Sequence, residues 1–225
     1  MATPILFIGN KNYSSWSMRP WLALKWGGIA FEERVIPLGG EGYRQAKIPE
    51  IVAISPSGRV PTLHADGIVV HDSLAICEWA HEHAPAGALW PQDANRRALG
   101  RSAAAEMHSG FPALRRDLSM NVKRKMDAAP NWPDDTHADL TRLFVLWSDL
   151  RGRFGADGPF LLGARSIADA MFAPVVTRLR TYAVDAPADA RAYCATLFAD
   201  AAFQEWERGA LAEHWTIPQA DELYR

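Results

Sequence analysis

The chain has 225 residues, of which 48% are hydrophobic and 22% charged, and its formal net charge is −2. This length suits one large or two small domains with a substantial core. The balanced charge argues against a nucleic-acid binder, which would need a basic face. Only Cys77 and Cys194 are present, which excludes a disulfide framework and a CxxC pair. Neither a signal peptide nor a membrane span is predicted, so we expect a cytoplasmic protein.

The opening of the chain predicts a strand, a helix and a second strand. Ile5 to Ile8 is a short apolar run typical of a buried strand. Arg19 to Trp26 favours a helix with Pro20 in its first turn, ended by Gly27-Gly28. Phe31 to Leu38 predicts the second strand. The order implies a right-handed parallel crossover.

The next segment predicts a hairpin and a helix. Val60 to His64 and Ile68 to Val70 are apolar runs joined through Asp66-Gly67, a strong hairpin signal. Ser73 to His83 favours a helix. Residues 1–84 therefore predict a thioredoxin-like α/β domain with four strands.

A proline-rich break at 85–92 predicts a linker, and residues 93–225 predict an all-helical domain. Asp93 to about Lys125 is interpreted as one long helix, with Lys123-Arg124-Lys125 near its end to complement the helix dipole. An anion-attracting wall over a substrate site is the alternative. Further helices are predicted over 136–154, 166–182 and 187–211.

The dipeptide Val60-Pro61 stands at the predicted entrance of a strand. Proline cannot donate to a sheet ladder, so it is confined to strand starts, edges or bulges. A cis bond would turn the Val60 backbone outward, where a tripeptide could pair as an extra strand. An ordinary trans proline is the alternative, since only about 5–6% of X–Pro bonds are cis.

The dipeptide Asp72-Ser73 precedes an apolar helix. Ser73 is placed to cap the helix, and free N–H groups at a helix start bind carboxylates. Asp72 can accept a hydrogen bond from an ammonium group. A γ-glutamyl group carries both charges, which points to glutathione, while a plain N-cap is the competing interpretation.

The segment Tyr13-Ser14-Ser15-Trp16-Ser17 lies between the first strand and the first helix. A hydroxyl there can hydrogen-bond a thiol and favour its thiolate, and the positive end of the helix would help. A serine-rich turn with one capping serine is the alternative. The scattered histidines show no metal-like spacing, so no metal site is predicted.

These elements, together with the capping box Ser166-Ile167-Ala168-Asp169, resemble the cytosolic glutathione transferase superfamily. The resemblance covers nearly the whole chain. It implies a thioredoxin-like domain followed by an all-α domain, a cis Val60-Pro61 bond and a γ-glutamyl site at Asp72-Ser73. It also implies a homodimer, with glutathione as cosubstrate and no other cofactor.

Within the superfamily, Ser14-Ser15-Trp16-Ser17 looks like the Ser-Ser-Cys-Ser segment of the zeta class. By that resemblance Ser14 is the activating hydroxyl and Ser15 the neighbouring candidate. Zeta enzymes carry cysteine where this chain has Trp16, and that cysteine contributes to maleylacetoacetate isomerisation, so isomerase chemistry is not assigned.

Two further sets of residues complete the predicted site. Lys47 lies where family members often hold the glycine carboxylate of glutathione. Trp16, Met107 and Phe111 are candidates for the electrophile site, although the last two are also typical core residues. Zeta enzymes bind acidic substrates through an arginine of the helix that follows the capping box. Neither Arg178 nor Arg180 can be matched to that arginine by its distance along the chain from the capping box.

The predicted function is glutathione transferase. A serine hydroxyl activates the glutathione thiol, which attacks a small electrophile. The alternatives are a glutathione-dependent isomerase or dehalogenase using the same site, and a transferase-fold protein used for binding or regulation.

Overall fold

The computed structural model describes residues 2–39, 43, 45–85 and 89–224. Within these residues, the first part of the chain holds four strands and three helices. The strands are β1 (Ile5–Ile8), β2 (Glu32–Val35), β3 (Thr62–Ala65) and β4 (Ile68–His71). The helices are α1 (Ser15–Trp26), α2 (Pro49–Ile54) and α3 (Ser73–His83).

The four strands form one mixed sheet in the order β2-β1-β3-β4. β1 pairs in parallel with β2 and antiparallel with β3, and β3 pairs antiparallel with β4. The predicted hairpin is confirmed. Asp66 and Gly67 both have positive φ, at 46° and 82°, as the tight turn of a two-residue hairpin requires. The predicted thioredoxin-like arrangement is confirmed.

Helix α1 begins earlier than predicted. It starts at Ser15 rather than Arg19, because Ser14 is its N-cap and accepts from the Ser17 N–H. The prediction that Pro20 lies in the first turn is therefore wrong, since Pro20 lies inside the helix. The serine segment therefore forms the N-terminal end of α1, where the backbone N–H groups are free.

The second part of the chain is helical throughout its regular elements. These are α4 (Ala94–Ser109), α5 (Pro112–Asp117), α6 (Asp134–Phe154), α7 (Ile167–Thr181), α8 (Ala188–Phe198), α9 (Ala201–Ala212) and α10 (Pro218–Asp221). Residues 86–88 of the predicted linker lie outside the described residues. No helix in the described part of the chain is both long and apolar enough to cross a membrane.

The single long helix predicted from Asp93 to Lys125 is wrong. It ends at Ser109, and Phe111 then takes a left-handed conformation with φ of 58° before Pro112 starts α5. The backbone is forced out of the helix here because a residue before proline disfavours helical angles. Lys123-Arg124-Lys125 consequently lie in a loop, so their assignment to a helix dipole is also wrong.

Helix α7 is the centre of the molecule. Nearly all of its residues are buried, and α1 packs against both α7 and α3. The predicted capping box is confirmed: the buried Asp169 carboxylate accepts from the Ser166 N–H at 2.8 Å and from the Leu161 N–H at 3.1 Å. This packing brings the start of α1 against the side of α7.

Candidate functional site

A cavity of about 410 Å³ opens where the start of α1, the entrance of β3 and the start of α3 meet. It is lined by most of the predicted site residues: Ser14, Ser15, Trp16, Val60, Pro61, Asp72 and Ser73. Lys47, Met107 and Phe111 are not among its lining residues. Segments that are far apart in the chain are therefore assembled into one cleft.

The entrance of β3 forms one wall of the cavity. The Val60-Pro61 bond is cis, as predicted. The turn before it is fixed by the Thr62 hydroxyl, which lies 2.9 Å from both the Ser55 hydroxyl and the Arg59 carbonyl. Arg59 also lines the cavity and supplies a cation there.

The start of α3 forms a second wall. The prediction that Ser73 caps this helix is wrong: Asp72 is the N-cap, and its Oδ1 accepts from Leu74 N–H at 2.8 Å and Ala75 N–H at 3.2 Å. Because the helix begins at Ser73, the residue before it takes the capping position. The other Asp72 oxygen pairs with His108 Nε2 at 3.1 Å. The buried Ser73 hydroxyl has no hydrogen-bond partner in the described part of the chain.

The serine turn forms the third wall, and its three hydroxyls differ. Ser17 is fully buried, accepts from the Gly9 N–H at 3.1 Å and lies outside the cavity lining. Ser14 donates to the Ser17 hydroxyl at 2.8 Å. Ser15 accepts from Arg178 Nη2 at 3.0 Å, so its own proton is free to be donated. Only Ser14 and Ser15 face the cavity.

Three arginines surround Trp16 and Ser15 behind the cavity wall. Arg19 and Arg115 lie over the Trp16 ring, at 4.4 and 4.8 Å from its centroid. Arg178 is the third, and no carboxylate in the described ranges lies within 4.0 Å of any of them. This is a concentration of positive charge beside the serine hydroxyls.

Burial perturbs these guanidinium groups. It lowers the pKa of Arg178 to about 9, with a further contribution from Arg115. Burial also places the pKa of Arg19 well below its ordinary value, with Arg115 and Arg178 adding to the effect. All three side-chain nitrogens of Arg19, and Nε and Nη1 of Arg178, have no hydrogen-bond partner among the described residues. Buried donors of this kind are costly unless they serve a ligand.

The remaining predicted residues lie elsewhere. Lys47 is exposed, while its neighbours Ala46 and Ile48 line the cavity. Met107 and Phe111 are 1% and 4% exposed and belong to the hydrophobic core. Their place in an electrophile site stays a prediction.

Several residues of the site were not assigned from the sequence. Tyr13, Arg59 and His108 line the cavity, and Arg178 reaches Ser15. Arg59 carried a signal, since it directly precedes Val60-Pro61. His108 and Arg178 come from helices far along the chain, and nothing local in the sequence indicates where they meet the turn.

Within the part of the chain that the structure describes, no group of three His, Cys, Asp or Glu side chains could hold a metal ion. Burial raises the pKa of the Cys194 thiol to about 12 and raises that of Cys77 further. Both cysteines therefore remain protonated thiols at neutral pH.

Comparison with known proteins agrees with this geometry. Residues 13–83 match the family model described as glutathione S-transferase, N-terminal domain. The chain is 31% identical over 183 residues to the maleylacetoacetate isomerase of Rattus norvegicus, covering 81% of both chains. It is 35% identical over 124 residues to that of Pseudomonas aeruginosa, covering 53% of this chain and 56% of the other.

Solved structures share the fold. A glutathione transferase homolog from Burkholderia gl BGR1, with bound glutathione, superposes with a TM-score of 0.71 at 24% identity, covering 94% of this chain and 100% of that one. A theta class glutathione S-transferase from Xanthomonas axonopodis pv. citri, also with glutathione bound, gives 0.66 at 26% identity, covering 95% and 99%.

Proposed function

Because the chain belongs to the cytosolic glutathione transferase superfamily, as a zeta-like member, we propose that its cavity binds glutathione for reaction with a small acidic electrophile. A serine hydroxyl activates the glutathione thiol. The single observation that carries the choice of electrophile is the set of three arginines beside Trp16 and Ser15. Arg19 and Arg178 are buried and Arg115 is half-buried, and none has a carboxylate partner among the described residues.

The cavity walls suit the two ends of the tripeptide. Val60 offers its backbone to an extended peptide, as an added strand. The unpartnered Ser73 hydroxyl and the start of α3 suit the γ-glutamyl carboxylate, and Asp72 suits the ammonium. We assign the glycine carboxylate to Arg59, which lines the cavity, in preference to Lys47, which does not.

The serine turn suits thiol activation. A free thiol has a pKa near about 8.5, so a fall of roughly two units makes the thiolate dominant at neutral pH. Ser15 can donate to a thiolate while it accepts from Arg178. Ser14 can do so once its present bond to Ser17 is released. Both remain candidates for the activating hydroxyl.

The arginine cluster suits the second substrate. A carboxylate placed beside Trp16 would meet guanidinium donors that are already desolvated, where charge-assisted hydrogen bonds are strong. A matched pair of chloronitrobenzenes, with and without a ring carboxylate, tests this. We expect kcat/KM to favour the carboxylate by about tenfold or more, the value of one such hydrogen bond. Equal rates would contradict the proposal.

An isomerase is the second candidate, favoured by the relatives named maleylacetoacetate isomerase. The thiolate would add to a conjugated double bond, the resulting single bond would rotate, and elimination would return the glutathione. Measuring glutathione consumed per product separates the candidates: one equivalent indicates a transferase and none an isomerase. Halide release with glutathione recovered would indicate a dehalogenase.

A binding or regulatory protein is the non-enzymatic alternative. Failure to bind immobilised glutathione would favour it. We further propose the two-domain division at 85–92, a cytoplasmic location and a homodimer, all of which follow from the family resemblance. Sedimentation of the purified chain tests the dimer.

A further inference from the structure

We propose, resting on the assignment of Ser14 and Ser15 above, that residues 213–224 form a C-terminal clamp that positions the serine turn. The clamp lies about two hundred residues away from that turn in the chain, yet two of its carboxylates, from Glu213 and Asp221, bind the residues directly before Ser14.

The first contact of the clamp is with the backbone of the turn. The Glu213 carboxylate accepts from Lys11 N–H at 2.6 Å and from Asn12 N–H at 3.0 Å. Burial raises the pKa of Glu213, whereas these two backbone donors favour its charged form. Hydrogen bonds to an ionised acceptor are roughly twice as strong as neutral ones.

The second contact is with a side chain that lines the cavity. The Tyr13 hydroxyl donates to Asp221 at 2.9 Å, and Asn121 Nδ2 donates to the same carboxylate at 2.8 Å. Asn121 in turn accepts from Asn12 Nδ2 at 3.1 Å, which closes a network around the turn. Burial and the Asp221 carboxylate raise the pKa of Tyr13, so it stays a phenol and a donor.

The clamp is itself anchored. Ile217 is fully buried. Lys123 donates to the Glu213 carbonyl, and Arg124 donates to the carbonyls of Leu223 and Tyr224. The basic run of the 119–133 loop, which the sequence placed on a helix, therefore holds the clamp in place.

Movement at the clamp would reach the serines directly. Tyr13 N–H and Ser14 N–H both donate to the Asn10 carbonyl, at 3.1 and 2.8 Å, so residues 10–14 form one hydrogen-bonded turn. A displacement of a catalytic group by about 1 Å can cost about a hundredfold in rate.

The decisive experiment removes the Asp221–Tyr13 bond from either end. Asp221→Ala and Tyr13→Phe are expected to lower kcat about tenfold and to raise the pKa of bound glutathione, read from thiolate absorbance, by about one unit. The double variant is expected to be no worse than Asp221→Ala alone, because Asp221→Ala already removes the bond to Tyr13. Asp221→Asn, which keeps an acceptor, is expected to recover part of the loss.

The matched control is Glu222→Ala, an exposed carboxylate beside Asp221 in the same segment. It is expected to leave kcat and the thiol pKa unchanged. A fall in Tm with no change in the thiol pKa, or losses that multiply in the double variant, would overturn the clamp. If Asp221→Ala fails to fold, Tyr13→Phe alone decides the matter. A wild-type protein that shows no bound thiolate would instead refute the proposed function.

Discussion

Replacing Arg178 by methionine should make the protein more stable and, toward acidic substrates, less active. Arg178 is 4% exposed, and burial lowers its pKa to about 9. Since one pKa unit corresponds to about 1.4 kcal/mol, the charged form is disfavoured in the fold by about 5 kcal/mol. The folded pKa is depressed, so this penalty is present in full at pH 7. It declines only as pH rises above about 9.

Two effects offset part of that gain. The variant loses the hydrogen bond from Arg178 to Ser15, worth about 1.5–3 kcal/mol when one partner is charged. The buried neighbours of Arg178 must also repack around the uncharged methionine side chain. Substitutions of buried charges by apolar residues are stabilising by about 1–4 kcal/mol when packing is kept. We expect a net gain of about 2 kcal/mol, which at this chain length raises Tm by about 4–8 °C.

The assay pairs thermal unfolding with kinetics on the two chloronitrobenzenes. Arg178→Met is expected to lower kcat/KM for the carboxylated compound by about 10- to 100-fold, and for the uncharged compound by much less. Arg180→Met, on the same helix but paired with Glu207, is the control and should not change the preference. A destabilised Arg178→Met variant, or equal losses on both compounds, would refute the reasoning.

Three further predictions concern the cavity and its support. Ser14→Ala and Ser15→Ala should differ, with the activating residue costing about a hundredfold or more in turnover; unchanged turnover in both singles and the double would exclude serine activation. Arg59→Gln should raise the KM for glutathione about tenfold while Lys47→Gln leaves it unchanged; the reverse order would restore Lys47. Asp169→Ala should lower the free energy of unfolding by about 3–5 kcal/mol, because it strands buried donors. Burial raises the pKa of Asp169 to about 6, so wild-type stability should fall from this group as pH rises between about 4 and 6, a slope absent in Asp169→Asn.

The parts of the fold that depend on residues close together in the chain could be predicted from the sequence. The Asp66-Gly67 turn was predictable because few residues accept two successive positive φ angles. The cis Val60-Pro61 bond was predicted through the family resemblance, since base rates alone favour the trans form. A side-chain cap at the start of α3 was predictable from its polar residues, although Asp72 rather than Ser73 provides it. The break at Gly110-Phe111-Pro112 also had a local cause, and its signal was present in the sequence.

What could not be predicted depends on contacts between distant segments. The family resemblance points to an arginine on this helix, but the contact of Arg178 with Ser15 depends on how α7 packs against α1. The hydrophobic pattern of neither helix shows which residues of α1 and α7 come into contact. The bond from Asp221 to Tyr13 is of the same kind, because it joins the end of the chain to its beginning.

The residues assigned to glutathione and those assigned to the second substrate are positioned by different kinds of contact. The groups assigned to the two ends of glutathione, Arg59, Val60, Asp72 and Ser73, lie at the ends of strands and helices of the sheet part, so short-range rules position them. The groups assigned to the second substrate lie on α1, α5 and α7 and meet only when the helical part packs against the sheet part. A change in that packing would alter the choice of electrophile while leaving the peptide site intact. Arg178→Met removes a group assigned to the second substrate and none assigned to the two ends of glutathione. It should therefore change substrate preference without changing affinity for glutathione.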